Sequence, residues 1–251
     1  RQNVRGMDRA AMRERRRQRW IDRAERARDA FGLVFALVIL SYVLSSLLAN
    51  RGWPSVVICL ITSVTSVVAL VSSHVPHQRV RLAIAVSAIS ILFAVVGAIT
   101  GGRIWLNLAS LLQILLLTAA MAAVLVRVVS TPEVSSRTIL GALSVYAVLG
   151  LLFTYVYAVV DRLQGGPFFE EVAHPKGGDF LFFSYTTLTT TGYGNLVPGG
   201  QPGRMISGLE MMLGQIFLVT LVAGLVAMWR PGQGVRKRLE QRGREPEGGP
   251  D

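Results

Sequence analysis

The 251-residue chain is 51% hydrophobic and only 16% charged, against roughly a quarter charged residues in soluble domains, so a soluble globular protein is excluded. Its formal charge of +11 is concentrated at the ends: 1–29 carries eleven arginines against five acids, and 230–251 six bases against four acids. Basic flanks mark the cytoplasmic face of a membrane, which predicts a multi-pass protein of the plasma membrane with both termini inside and an even number of spans. The single cysteine, Cys59, rules out an intrachain disulfide. No Gly-x-Ser-x-Gly, His-Glu-x-x-His or phosphate-loop pattern occurs, so neither an enzyme nor a cofactor is expected.

Residues 1–30 form a basic arm in which Met12, Trp20, Ile21, Ala24, Ala27 and Phe31 recur at near-helical spacing. Two readings stand: an interfacial helix on anionic lipid, each basic residue worth about 1 kcal/mol, or a partly disordered arm that sets topology. Nucleic acid is not an expected partner, because the arm abuts a membrane span. Six apolar segments follow at 31–49, 53–72, 80–99, 104–129, 137–160 and 205–229, each near the length a bilayer core demands. The first reads as a retained span rather than a cleaved leader. Pro54, the Gly101-Gly102 pair and the Thr131-Pro132-Glu133 run punctuate them as helix ends and starts. Arg79, Arg81, Arg127 and Arg137 fall in turns expected inside; the outer turns carry Arg51 and Arg103.

Between the fifth and sixth segments lies a polar loop, 161–178, followed by Asp179 as a candidate N-cap and the apolar run 180–188. That run is too short to cross a bilayer and predicts a re-entrant helix, tolerated where it is enclosed by protein and lines an aqueous cavity. Its C-terminal end, partially negative, favours a nearby cation. Then comes Thr189-Thr190-Thr191-Gly192-Tyr193-Gly194-Asn195. Glycine is costly in a packed helix or strand but permits φ > 0. Alternating glycines let successive carbonyls point the same way. Carbonyls of Thr190, Thr191, Gly192 and Tyr193, with the Thr190 hydroxyl, can replace the water around a bare cation. One chain supplies one wall, which implies an oligomer.

Thr190-Thr191-Gly192-Tyr193-Gly194, between a short apolar run and an apolar helix, resembles the pore signature of the tetrameric potassium channels, over about 180–229. The resemblance implies an all-α homotetramer with six transmembrane helices plus a re-entrant pore helix and filter, and potassium held at Thr190, Thr191, Gly192 and Tyr193 with Gly194 completing the filter. It divides the chain into a cytoplasmic arm (1–30), a four-helix membrane domain (31–129), a pore domain (130–229) and a short basic tail (230–251). It also implies a bend at Gly214. By helical period Gln215, Leu218, Val222 and Val226 share one face, expected to line cavity and gate; the competing role for that face is packing on the fifth span. Thr186 and Asn195 stand where many family members carry a carboxylate pair, so that pair is neutral in this chain.

Glu210 is an acid inside an apolar segment, an expensive placement. It is expected to brace the filter or pore helix by a hydrogen bond, or else to reach loop water. Tyr193 is expected to pack on Phe182 or Phe183. Glu170 and Glu171 could draw cations to the outer mouth or merely be solvated. His74 and His77 make a poor metal site, and Asn107 and Gln113 suit interhelical hydrogen bonds. The segment 104–126 contains no lysine or arginine, so intrinsic voltage gating is not expected. The expected function is passive, selective potassium conduction. A non-selective cation channel and a non-conducting regulatory subunit are the alternatives.

Overall fold

The computed structural model describes residues 31–47, 54–130 and 136–228. Seven helices run through them: α1 (Phe31–Leu47), α2 (Pro54–Ser72), α3 (His77–Thr100), α4 (Arg103–Val129), α5 (Ser136–Leu163), α6 (Gly177–Leu188) and α7 (Gln201–Met228). The basic arm 1–30, Arg51, the 131–133 cap, the side chains of Arg137 and Val226, and the tail 230–251 lie outside the described residues. The only extended pairing among the described residues is an isolated antiparallel bridge between Phe169 and Pro198.

The protein is thus all-helical. Among the described residues four helices are long and apolar enough to cross a membrane: His77–Thr100, Arg103–Val129, Thr138–Leu163 and Gln201–Gly224. Phe31–Ser45 and Val56–Ser72 are apolar but shorter. The punctuation residues act locally. Gly101 ends α3 in the left-handed conformation, φ 66°, the common helix stop where glycine carries no Cβ penalty. Three helix ends differ from the pattern of apolar residues alone. Pro76 precedes α3 and moves its start back to His77. α5 continues past 160 to Leu163, because Arg162 is usefully held in the helix by Asn107 and Ser110 of α4. α7 begins at Gln201 rather than 205, with Pro202 in its first turn, where a missing N–H costs little.

α1 to α4 pack in sequence, and α1 and α4 also pack on α5. α1 touches α6 too, so the first four helices rest, through α1 and α4, on α5 and α6. A single core, including Val34, Leu117, Val124, Val148, Leu151 and Leu181, runs from α1 and α4 into α5 and α6. α3 buries only small residues, Ala83, Ser87, Ser90, Ala94 and Gly97, spaced four and three apart. This is the seam through which membrane helices approach closely when no water drives them together. Polar side chains tie the same bundle. The Gln113 amide donates to the Cys59 carbonyl at 3.0 Å and the Ser63 hydroxyl at 2.6 Å, while the Thr62 and Tyr155 hydroxyls pair at 2.8 Å between α2 and α5.

α7 contacts its own chain along one narrow line. Gly203, Ser207, Glu210 and Gly214 are buried, and the rest of its outer half is mostly exposed.

Candidate functional site

The short helix α6 starts at Gly177, two residues before the expected cap. Asp179 sits at its third position and accepts the Lys176 N–H at 2.7 Å, reaching back to an otherwise orphaned donor instead of capping from outside. α6 is wedged among neighbours. The Tyr185 hydroxyl donates to the Ala147 carbonyl of α5 at 2.7 Å, and its ring meets Tyr42 of α1 edge-on.

The end of α6 leaves no carbonyl unused. The Tyr185 carbonyl accepts from the Thr189 N–H, Thr187 from the Thr190 N–H, and Thr186 from both the Thr191 and Gly192 N–H groups at 2.8 and 3.1 Å. The Leu188 carbonyl accepts the Tyr146 hydroxyl at 2.8 Å. All four terminal acceptors that a helix must satisfy are accounted for. The N–H groups of 189–192 are thereby turned back into the helix.

Beyond this anchor the backbone alternates. Positive φ occurs at Thr190 (57°), Gly192 (50°) and Gly194 (77°), and not at Thr191 or Tyr193. For Thr190 that conformation costs on the order of 1–2 kcal/mol, and such strain persists only where its surroundings impose it. The carbonyls of Thr190, Thr191, Gly192, Tyr193 and Gly194 accept no hydrogen bond from the described residues, and every residue of 189–195 is exposed in the single chain. This is a row of unspent acceptors on an exposed strand of backbone.

The residues flagged around this strand are distributed as follows. Tyr193, 71% exposed, stacks on Phe182 with ring centroids 5.7 Å apart and planes at 16°. Phe183 turns the other way, into an aromatic cluster with Tyr157, Phe168 and Phe169. The Thr186 hydroxyl donates to its own helix at the Phe183 carbonyl, and Asn195 is exposed without a contact to it. Gln215 shares an open hollow of about 440 Å³ with Thr190, Met211, Met212 and Ile216. Leu218 and Val222 are exposed on the same helix. α7 runs unbroken through Gly214, where a Cβ would lie 2.7 Å from Leu188 Cδ1 and 2.8 Å from the Leu188 carbonyl oxygen. The structural reason for this glycine is contact with the end of α6.

Glu210 is fully buried. Its Oε2 accepts the Tyr157 hydroxyl of α5 and its Oε1 the Ser184 hydroxyl of α6, both at 2.5 Å. Ser184 also lies 2.8 Å from the Gly150 carbonyl of α5, and its one proton must serve both acceptors. The carboxyl therefore joins the three helices α5, α6 and α7 at one point. Tyr157, Ser184, Gly150 and Tyr146 carry no sequence pattern that marks them. Tyr157 and Tyr146 are aromatic residues in an apolar helix like any other, and only the costly Glu210 signalled that partners had to exist.

The outer loop departs from its polar reading. Phe168 and Phe169 are fully buried and meet Tyr157, Phe180 and Phe183. The loop is stitched to the segment after the filter by Glu170 N–H to the Val197 carbonyl and Gly199 N–H to the Phe168 carbonyl. Glu170 is held in an ion pair with Arg204 at 2.7 Å, and Arg204 also donates to the Pro198 carbonyl. Glu171 is exposed. Among the described residues no cluster of His, Cys, Asp or Glu is placed to hold a metal ion.

The site is thus a short apolar helix that ends in exposed backbone with unspent carbonyls, set against a long apolar helix. Residues 145–230 match the family model described as "Ion channel", which agrees with the resemblance to tetrameric potassium channels. Over 95 residues the chain is 32% identical to a cyclic nucleotide-gated potassium channel of Rhizobium etli, an alignment covering 37% of this chain and 24% of that relative. The chain thus spans about a quarter of the length of the relative it matches. No solved structure gives a significant match.

Proposed function

We propose that the chain is the subunit of a homotetrameric, potassium-selective channel that conducts passively through the carbonyls of Thr190 to Gly194. One observation carries the reading: positive φ at alternate positions 190, 192 and 194 combined with carbonyls that no described group satisfies. Such a row replaces an ion's hydration shell when copies face one another. The potassium-channel name of the similar relative supports the choice of ion. Glu210, through Tyr157 and Ser184, holds the back of the filter; Phe182 supports Tyr193; Gln215, Leu218 and Val222 line the inner cavity.

In this reading α1 to α5 and α7 are the six spans and α6 is the re-entrant pore helix. The divisions at 30, 129 and 229 separate arm, four-helix domain, pore domain and tail. Both termini are cytoplasmic in the plasma membrane, with anionic lipid as partner of the arm. Potassium is the permeant ion, and conduction requires no cofactor. The test is the reversal potential of the purified protein in planar bilayers under opposed potassium and sodium gradients. A reversal close to the potassium equilibrium potential is expected. Reversal near zero in mixed ions would leave a non-selective cation channel, and absence of current a regulatory subunit.

A further inference from the structure

On the side of the molecule that carries the 161–178 loop, a crevice of about 330 Å³ lies between α2, α3 and α4 on one side and α5 and α6 on the other. This is the lower end of the range for small-ligand sites, and the conduction pathway does not use it. Its deeper wall is apolar, from Ala94 of α3, Leu106 of α4, Ala158 of α5 and Phe180 of α6. Its rim is basic. Arg162 spends Nε on the Asn107 side-chain carbonyl at 2.7 Å and one Nη on the Ser110 hydroxyl at 2.5 Å, which leaves three of the five guanidinium N–H groups. Arg103 also lines the crevice.

A helix start adds to that field. Arg103 is the first residue of α4, which has no side-chain cap and no acid in its first turn, and it lines the crevice; Gly177, also in the lining, opens α6, whose first turn is offset by Asp179. Helix N-termini carry partial positive charge and unpaired N–H groups. Asp161 is the only carboxylate in the lining, against two guanidinium groups. A basic rim over an apolar slot on the membrane-embedded flank of a protein matches one kind of molecule.

We infer that this crevice binds an anionic amphiphile with one acyl chain, its carboxylate or phosphate at Arg103 and Arg162 and its chain between α3, α4 and α6. The ligand comes from the leaflet on the outer-loop side and bridges the four-helix domain to the pore helix.

The full chain in phosphatidylcholine nanodiscs is titrated separately with oleate, oleoyl lysophosphatidic acid, oleyl alcohol and inorganic phosphate, and bound ligand is counted by native mass spectrometry. One or both anionic amphiphiles should bind, and whichever does identifies the source as fatty acid or lysolipid. Arg103→Gln and Ala158→Phe should each weaken that binding about tenfold, the order of one charge-assisted hydrogen bond or of a blocked slot. Equal binding of oleyl alcohol, binding of inorganic phosphate alone, or unchanged affinity in both variants would overturn the assignment. Binding is read directly, so the result is independent of which ion the channel passes.

Discussion

At the scale of single residues, Glu210 is the most consequential side chain outside the filter. Its two oxygens hold Tyr157 and Ser184 at 2.5 Å each, and Ser184 has a second acceptor in Gly150. Glutamine in its place can accept from Tyr157 and donate to Ser184, freeing the Ser184 proton for Gly150. Glu210→Gln is therefore expected to keep ion selectivity and thermal stability near those of the parent. Glu210→Ala leaves the buried Tyr157 hydroxyl without its acceptor, at about 1–3 kcal/mol, while Ser184 keeps Gly150; it should lower the thermal midpoint of the purified protein and make openings unstable in single-channel records. Equal behaviour of the two variants would remove the bracing role. Gly214 is tested differently. A Cβ there meets the Leu188 carbonyl at 2.8 Å, and backbone at the end of α6 cannot yield cheaply, so Gly214→Ala should cost about 1–3 kcal/mol and be read as loss of tetramer on heating. A glycine that served only as a hinge would instead shift open probability and leave stability intact.

At the scale of elements, legibility followed how much each one states locally. The positive-φ glycines were readable because that backbone needs specific residues: Gly192 and Gly194 take positive φ, and few other residues do so freely. The apolar helices were readable from long apolar runs, and four of those among the described residues are long enough to cross a membrane. The loop 161–178 was read only as polar, because Phe168 and Phe169 sit among Gly, Pro and charged residues and no periodicity marks two aromatics whose partners lie on α5 and α6. The start of α6 was missed by three residues for a similar reason: Asp179 can cap from outside a helix or from its third position, and only geometry distinguishes the two. This loop separates two energies. Phe168→Ala removes the ring that touches Tyr157, Phe169, Phe180 and Phe183, and should cost about 3–5 kcal/mol, seen as a depressed thermal midpoint. The Glu170–Arg204 pair is half-exposed and worth about 0.2–1 kcal/mol, so Glu170→Gln should leave stability almost unchanged. Because Arg204 already offsets Glu170, conductance at low ionic strength should fall more in Glu171→Gln than in Glu170→Gln; the reverse order would show that the pair does not shield the mouth.

At the scale of the molecule, two features act together: an exposed filter with a sparsely covered α7, and a four-helix domain without charge in its membrane interior. The single chain buries α7 along one line, Gly203, Ser207, Glu210 and Gly214, and leaves large apolar residues such as Leu209, Met212, Ile216 and Val219 exposed. Those faces are available to lipid, to neighbouring copies and to the pore, as an oligomeric reading requires. In the proposed reading the first four helices stand where six-span channels keep a voltage sensor, yet α4 carries basic residues only at Arg103 and Arg127, near its two ends. Arg162 reaches that helix from α5, bonded to Asn107 and Ser110, and its guanidinium is pinned between helices rather than free to travel. Moving one charge across the membrane field is worth about 2.3 kcal/mol per 100 mV, and steep gating needs several per subunit. With none placed to move, the energy available from voltage is a small fraction of what opening a tetramer steeply would take. Conductance in divalent-free symmetric potassium should therefore vary only weakly between −100 and +100 mV (roughly the range over which such charges act), and gating-charge displacement should be undetectable in the same membranes. A saturating sigmoid conductance–voltage curve under those conditions would mean that a charge outside α4 crosses the field, with Arg162→Gln the first variant to examine, since freeing or removing it should then abolish the steepness.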